Sequence, residues 1–210
     1  TIIENCEQTG FAGVELRSTH AHGVEPTLSP AERADVAKRF DDSSVELVGL
    51  GSACEYHSPD PAELERNIEE TKAFIKLCHD CGGGGIKVRP NGLPPDVPVA
   101  KTLEQIGRAL NDVAAYGADY GVEIRLEVHG RGTSEVPHIA RIMDVADHPG
   151  CVVFWNCNQQ DLAGEGLAHQ VARAPSVDAA DRLERLRERS DVVGDPVPPI
   201  ARHAHRRVVL

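Results

Sequence analysis

Nowhere in the 210 residues do the roughly 18 consecutive apolar side chains of a membrane-spanning helix occur. Thr1 to Gly10 also lack the basic start and apolar run of a secretory signal. A chain of the cytoplasm is therefore expected. Met143 is the single methionine, so the sequence opens without an initiator residue and is expected to begin inside a longer gene product. Basic residues are scarce, with 22 Lys and Arg against 33 Asp and Glu and a net charge of -11. Residues 161–210 hold eight acids against eight arginines, which leaves 25 acids against 14 bases on residues 1–160. An acidic body repels phosphate backbones, so no nucleic-acid partner is expected, and none of membrane either. Six cysteines are too few in a chain this long to form the disulfide framework of a small secreted domain, and reduced thiols are expected. The Gly-x-Gly-x-x-Gly phosphate loop of dinucleotide folds is missing as well. Gly82 to Gly85 follows a helical pattern and precedes a strand, the reverse of the needed order, and reads as a helix stop.

What is present is an ordinary globular composition, 40% hydrophobic and 26% charged, sufficient for one sizeable core. Five compact β-type runs recur along the chain: Val14 to Arg17, Val45 to Leu50, Ile86 to Arg89, Val122 to Val128, and Val152 to Trp155. Helical patterns separate them, over Pro30 to Phe40, Asp60 to Asp80, Thr102 to Tyr120, and Val136 to Ala146. Pro30 and Pro61 stand where a first helical turn tolerates proline, with Ser29 and Asp60 as caps. Strand and helix in regular alternation predict an α/β fold of parallel strands joined by right-handed crossovers. A doubly wound sheet and an eight-stranded barrel both satisfy that pattern.

Polar residues gather just after the runs. Arg17 to His22 follows the first, Glu55-Tyr56-His57 the second, Arg89-Pro90-Asn91 the third, Glu127 to Gly130 the fourth, and Asn156 to Gln159 the fifth. In a parallel barrel these positions share the rim on which active sites are built. Within that pattern, Thr9-Gly10-Phe11-Ala12-Gly13-Val14-Glu15-Leu16 and Leu126-Glu127-Val128-His129 resemble the helix-to-strand junction and a strand end of the xylose isomerase-like TIM barrel superfamily. The resemblance covers about residues 1–165 and points to its sugar phosphate isomerases and epimerases. It implies a (β/α)8 barrel, incomplete in this chain, and one divalent metal (Mn, Mg, Zn or Co) held by Glu, Asp, His and a second Glu. On transfer, Glu127 matches the first Glu, the Asp falls on Asn156, and the His falls on Gln159. An amide oxygen can coordinate a hard cation but brings no charge. Dimers or tetramers are implied as a common state, and exposed strand edges would give a homo-oligomer a second cause.

Residues 166–210 are rich in Arg, Ala and Pro and form no recognisable domain; the stretch from 161 onward has no Phe, Trp, Tyr or Lys. His169, His203 and His205 lie there without any family motif around them. A tail from a shifted reading frame, or a fragment, would account for this change of composition.

Isomerisation next to a carbonyl needs a proton moved between carbons and an enediolate stabilised. Alternation places Glu127 and His129 on one face of their strand and Val128 on the other. Glu127 is thus a candidate ligand or acid/base, against a structural ion pair with Arg125 or Arg89, and His129 a catalytic candidate against a supporting hydrogen bond. Lys87 and Arg89 offer two cations for anionic substrate oxygens, or simply balance Glu127 and Glu15. His22 and His57 are candidates for the mouth, against solvated loop positions. Trp155 and Phe154 read as core, with a sugar-stacking Trp155 as the alternative. Cys78-His79-Asp80-Cys81 has no second pair of ligands and reads as a helix end. The expected activity is a sugar or sugar phosphate isomerase or epimerase acting by metal-assisted proton transfer on a small sugar or polyol. Two alternatives remain open: a truncated or degenerate barrel without catalysis, and an apurinic-endonuclease-like phosphodiesterase, which the acidic body fits poorly.

Overall fold

The computed structural model describes residues 1–155. The chain alternates α1 (Ile2–Thr9), β1 (Gly13–Arg17), α2 (Pro30–Asp41), β2 (Glu46–Glu55), α3 (Pro61–Asp80), β3 (Gly85–Arg89), α4 (Val99–Ala118), β4 (Glu123–Glu127), α5 (Val136–Ala146) and β5 (Cys151–Phe154). All four strand pairs are parallel, in the order β1-β2-β3-β4-β5. Consecutive order means that every crossover advances in the same direction. With one crossover hand, all the helices then lie on one side of the sheet, as in a barrel wall. A doubly wound sheet would reverse its order partway, so of the two architectures open to the sequence, the barrel type is the one present.

The helix signals act as physical chemistry dictates. Ser29 accepts from the Glu32 amide while Glu32 reaches back to Ser29, a full capping box, and Pro30 occupies the first turn. Asp60 accepts from Ala62 N ahead of Pro61. Gly10 ends α1 and Gly82 follows α3 with φ of 78° and 81°, left-handed turns that favour glycine. Two boundaries differ from the sequence expectation. β2 runs on through Gly51-Ser52-Ala53 to Glu55, because ladder partners, on both sides as far as Gly51 and on β3 alone at Glu55, carry it past residues of poor strand propensity. α4 starts at Val99, three residues early, launched by Pro98 without a side-chain cap.

Alternation splits the sheet into two faces. Leu50, Ile86, Val88, Ile124 and Leu126 are fully buried toward the helices, against Phe74, Ile75 and Leu77 of α3 and Ile106, Leu110 and Val113 of α4. The opposite face carries Glu15, Gly49, Gly51, Gly85, Lys87, Arg125 and Glu127, a set no apolar core would tolerate. That polar face is the barrel interior. Among the described residues no helix is long and apolar enough to cross a membrane.

Candidate functional site

The interior is built in tiers from the strands' N-terminal ends upward. At the floor, the guanidinium of Arg125 donates to Val48 O at 2.9 Å and to Glu123 Oε2 at 3.0 and 3.2 Å. Room for it comes from glycine: a Cβ on Gly85 would stand 2.4 Å from Arg125 Nε, and one on Gly49 would stand 2.9 Å from its Nη1. The glycine cluster after α3 therefore has two uses, ending the helix and seating a buried arginine.

Above the floor, Lys87 Nζ lies 2.9 Å from Glu15 Oε1 and 3.9 Å from Glu127 Oε1, with side chains only 10–15% exposed. The ring of Phe154 lies under the same ammonium, 5.7 Å from Nζ to its centroid. Of the cations the sequence offers to Glu127, Lys87 lies 3.9 Å from it while Arg125 turns to Glu123. Phe154 is the aromatic that faces the interior; Trp155 packs half-buried against the helix-side core. Period-two alternation gives the inner face of β5 to residue 154, and Trp155 lies just past the strand's end.

At the rim, Arg89 reaches Ala53 O at 3.4 Å with Nη2, and its Nε is buried with no partner among the described residues. Asn91 donates its side-chain amide to Glu55 and holds φ at 61°. Gly130 presses on it: a Cβ there would meet Asn91 O at 2.0 Å, so only glycine lets the two loops close. His57 lies against Gly92, and its Nδ1 is buried and unpartnered among the described residues. His129 is exposed just past β4, its carbonyl accepting from Thr133 Oγ1. His22 is committed elsewhere: Nδ1 accepts from Val24 N at 3.0 Å, which leaves Nε2 to donate to Arg17 O at 2.8 Å. Both of its nitrogens are therefore occupied by backbone. Asn156 lies outside the described residues.

Glu55 and Asn91 belong to the rim, as their place just after the strands implies, and Glu15 to the interior as a partner of Lys87. Phe154 faces the interior although the sequence reads it as core. The Cys78 to Cys81 segment is a helix end, as its spacing indicates. Burial pushes the Cys78 thiol up to about 12 and the Cys81 thiol up to about 11, and His79 bonds Tyr120 O.

A parallel barrel wall with a polar, charged interior and convergent rim side chains defines an α/β-barrel protein with its site at the C-terminal rim. The family profile described as xylose isomerase-like TIM barrel matches residues 3–193, and the chain belongs to that family. No curated protein matches the sequence. Solved structures resemble it in fold at low identity. D-psicose 3-epimerase, solved in the presence of D-fructose, is 16% identical with a TM-score of 0.71, covering 84% of this chain and 64% of that one. The 3-keto-D-glucoside 4-epimerase of E. coli is 13% identical with a TM-score of 0.66, covering 90% and 81%. IolI, solved with a bound zinc atom, is 19% identical with a TM-score of 0.60, covering 70% and 54%. The chain thus spans under two thirds of the IolI and D-psicose 3-epimerase chains.

The metal that the family implies can be tested against these side chains. Among the described residues no group of three or more His, Cys, Asp and Glu could hold an ion. Glu127 is the one matched ligand, and the charged group beside it is an ammonium. Asn156 and Gln159, the positions matched to the Asp and the His, lie outside the described residues, so of the matched positions only Glu127 is described.

Proposed function

We propose that this chain is a sugar isomerase or epimerase that moves a proton next to a carbonyl of a small sugar, sugar phosphate or polyol-derived ketone, with Glu127 as the base. The single observation that carries this reading is the interior placement of Glu127 at its strand end, 3.9 Å from Lys87. Its carboxylate takes the proton from the carbon beside the carbonyl, and the C–H electron pair moves to form the enediolate, leaving charge on the carbonyl oxygen. Lys87 and Arg89 hold that oxygen and any phosphate. The adjacent hydroxyl gives up its proton, the charged enediolate oxygen takes one up, and the proton held on Glu127, or a solvent proton exchanged with it, returns to the former carbonyl carbon, which yields the isomer; return to the opposite face of the original carbon would yield the epimer and needs a second acid there. His57 and His129 line the mouth, where they orient sugar hydroxyls; His22 serves by holding the loop after β1. The epimerase neighbours support the substrate class. The zinc-bound IolI supports a divalent metal in the family, with Glu127 and Asn156 as the matched positions here, and no step above passes through one.

Replacement of Glu127 by Gln tests the assignment. Turnover of a panel including D-fructose and D-tagatose, followed by NMR of the sugars, is expected to fall at least about 100-fold. The thermal melt stays cooperative, because Gln keeps the shape of the side chain. Undiminished turnover in the variant would remove Glu127 from the chemistry.

A further inference from the structure

We propose that the Lys87 ammonium, docked on Glu15, is a resident cation that faces Glu127 and competes with any divalent ion for that carboxylate. The inference rests on reading Glu127 as the working carboxylate, and goes beyond it by naming what opposes the charge there. A buried ammonium must keep a partner, and Lys87 has two at unequal distance, Glu15 at 2.9 Å and Glu127 at 3.9 Å. The short bond goes to Glu15. Glu127 therefore feels a nearby positive charge without receiving a short hydrogen bond from it.

The seat is built rather than incidental. A Cβ at Gly51 would stand 2.8 Å from Glu15 Oε1 and 3.3 Å from Lys87 Cε, so the glycine of β2 leaves the pair room in its present position. Phe154 supports the ammonium from the β5 side. A divalent ion arriving at Glu127 would meet this fixed charge at close range, between side chains only 10–15% exposed, where screening by water is weak. Lys87 instead supplies a permanent cation for an oxygen that becomes negative during reaction.

Manganese binding to the full chain, measured by calorimetry with MnCl2 as the probe, tests the proposal. Lys87→Met is expected to bind Mn2+ at least roughly tenfold more tightly than the wild type, by the Coulomb term removed. Lys87→Arg and the remote Lys72→Met are expected to match the wild type. The decisive variant carries Lys87→Met and Glu15→Gln together. It leaves the cluster's net charge as in the wild type and strands no buried carboxylate at position 15, so it also guards against misfolding of the single variant. Competition at close range predicts tighter binding in the double variant too, lost again when Glu127→Gln is added. A double variant that binds no better than the wild type, or no Mn2+ binding in any variant, would overturn the proposal. Sugar turnover is scored separately: the Mn2+ order with no turnover of any sugar retires the isomerase reading alone, and turnover without that order retires the resident cation alone.

Discussion

Arg125 depends on two glycines for its place, and this makes the barrel floor sensitive to a single methyl group. Gly85→Ala would put a Cβ 2.4 Å from Nε and 2.5 Å from Cζ of a guanidinium already committed to Val48 O and Glu123. The guanidinium must move and give up those bonds or strain the strand, an overpacking cost of about 1–3 kcal/mol. A urea denaturation midpoint lower than wild type is expected, with an unchanged slope; an unchanged midpoint would show that the floor yields freely. Alternation in the sequence places Arg125 and Glu127 on one face, yet it carries no information about depth. Arg125 turns down to a carbonyl 77 residues away in the chain, while Lys87 on the neighbouring strand stays level with Glu127. Spacing therefore leaves Lys87, Arg89 and Arg125 all open as cations for Glu127, and only the fold sets their depths. His22 is a similar case, since only folding shows that two backbone groups use both of its nitrogens.

Elements were far easier to read than partners. Apolar β-branched runs and helical patterns mark the five strands and four of the five helices of 1–155, helped by local chemistry such as Ser29 with Glu32 or Asp60 ahead of Pro61, while α1 enters only through the helix-to-strand junction that the resemblance implies. The end of β2 was missed because its last residues pair with β3 alone, Glu55 with Arg89, a contact that local propensity does not announce. At the far end of α3, buried thiols tie the helix to the sheet: Cys78 Sγ bonds Gly85 O, and burial lifts Cys78 to about 12 and Cys81 to about 11 from the ordinary 9.0. The buried phenol of Tyr56 is displaced upward for the same reason. In the window above about pH 9 the unfolded chain has released these protons while the folded one keeps them. Stability contributed by these groups is therefore full below the ordinary thiol range and is lost as pH rises toward their folded values. The urea midpoint is expected to decline from pH 8 to pH 10, and less steeply in Cys78→Ala. A midpoint that held level across that window would contradict the assignment of these thiols to the core.

For the molecule as a whole, consecutive strand order and one-sided helices make a wall whose inner face gathers acids and bases from β1, β3 and β4. Strand-helix alternation alone could not choose between this and a doubly wound sheet. The short motifs around Glu15 and Glu127 tipped the reading toward the barrel, and the family profile over residues 3–193 agrees. The central claim is that the interior carboxylate of β4 removes a carbon-bound proton from a ketose. Incubation with D-fructose and D-tagatose in D2O tests it, since a proton held on Glu127 either exchanges with solvent or is carried into a new sugar, and proton NMR sees both. The signal from the carbon next to the carbonyl is expected to be lost, or a product sugar to appear, with wild-type protein and neither with Glu127→Gln. Equal rates in both proteins would contradict the claim, as would a wild type that neither exchanges nor converts any ketose offered.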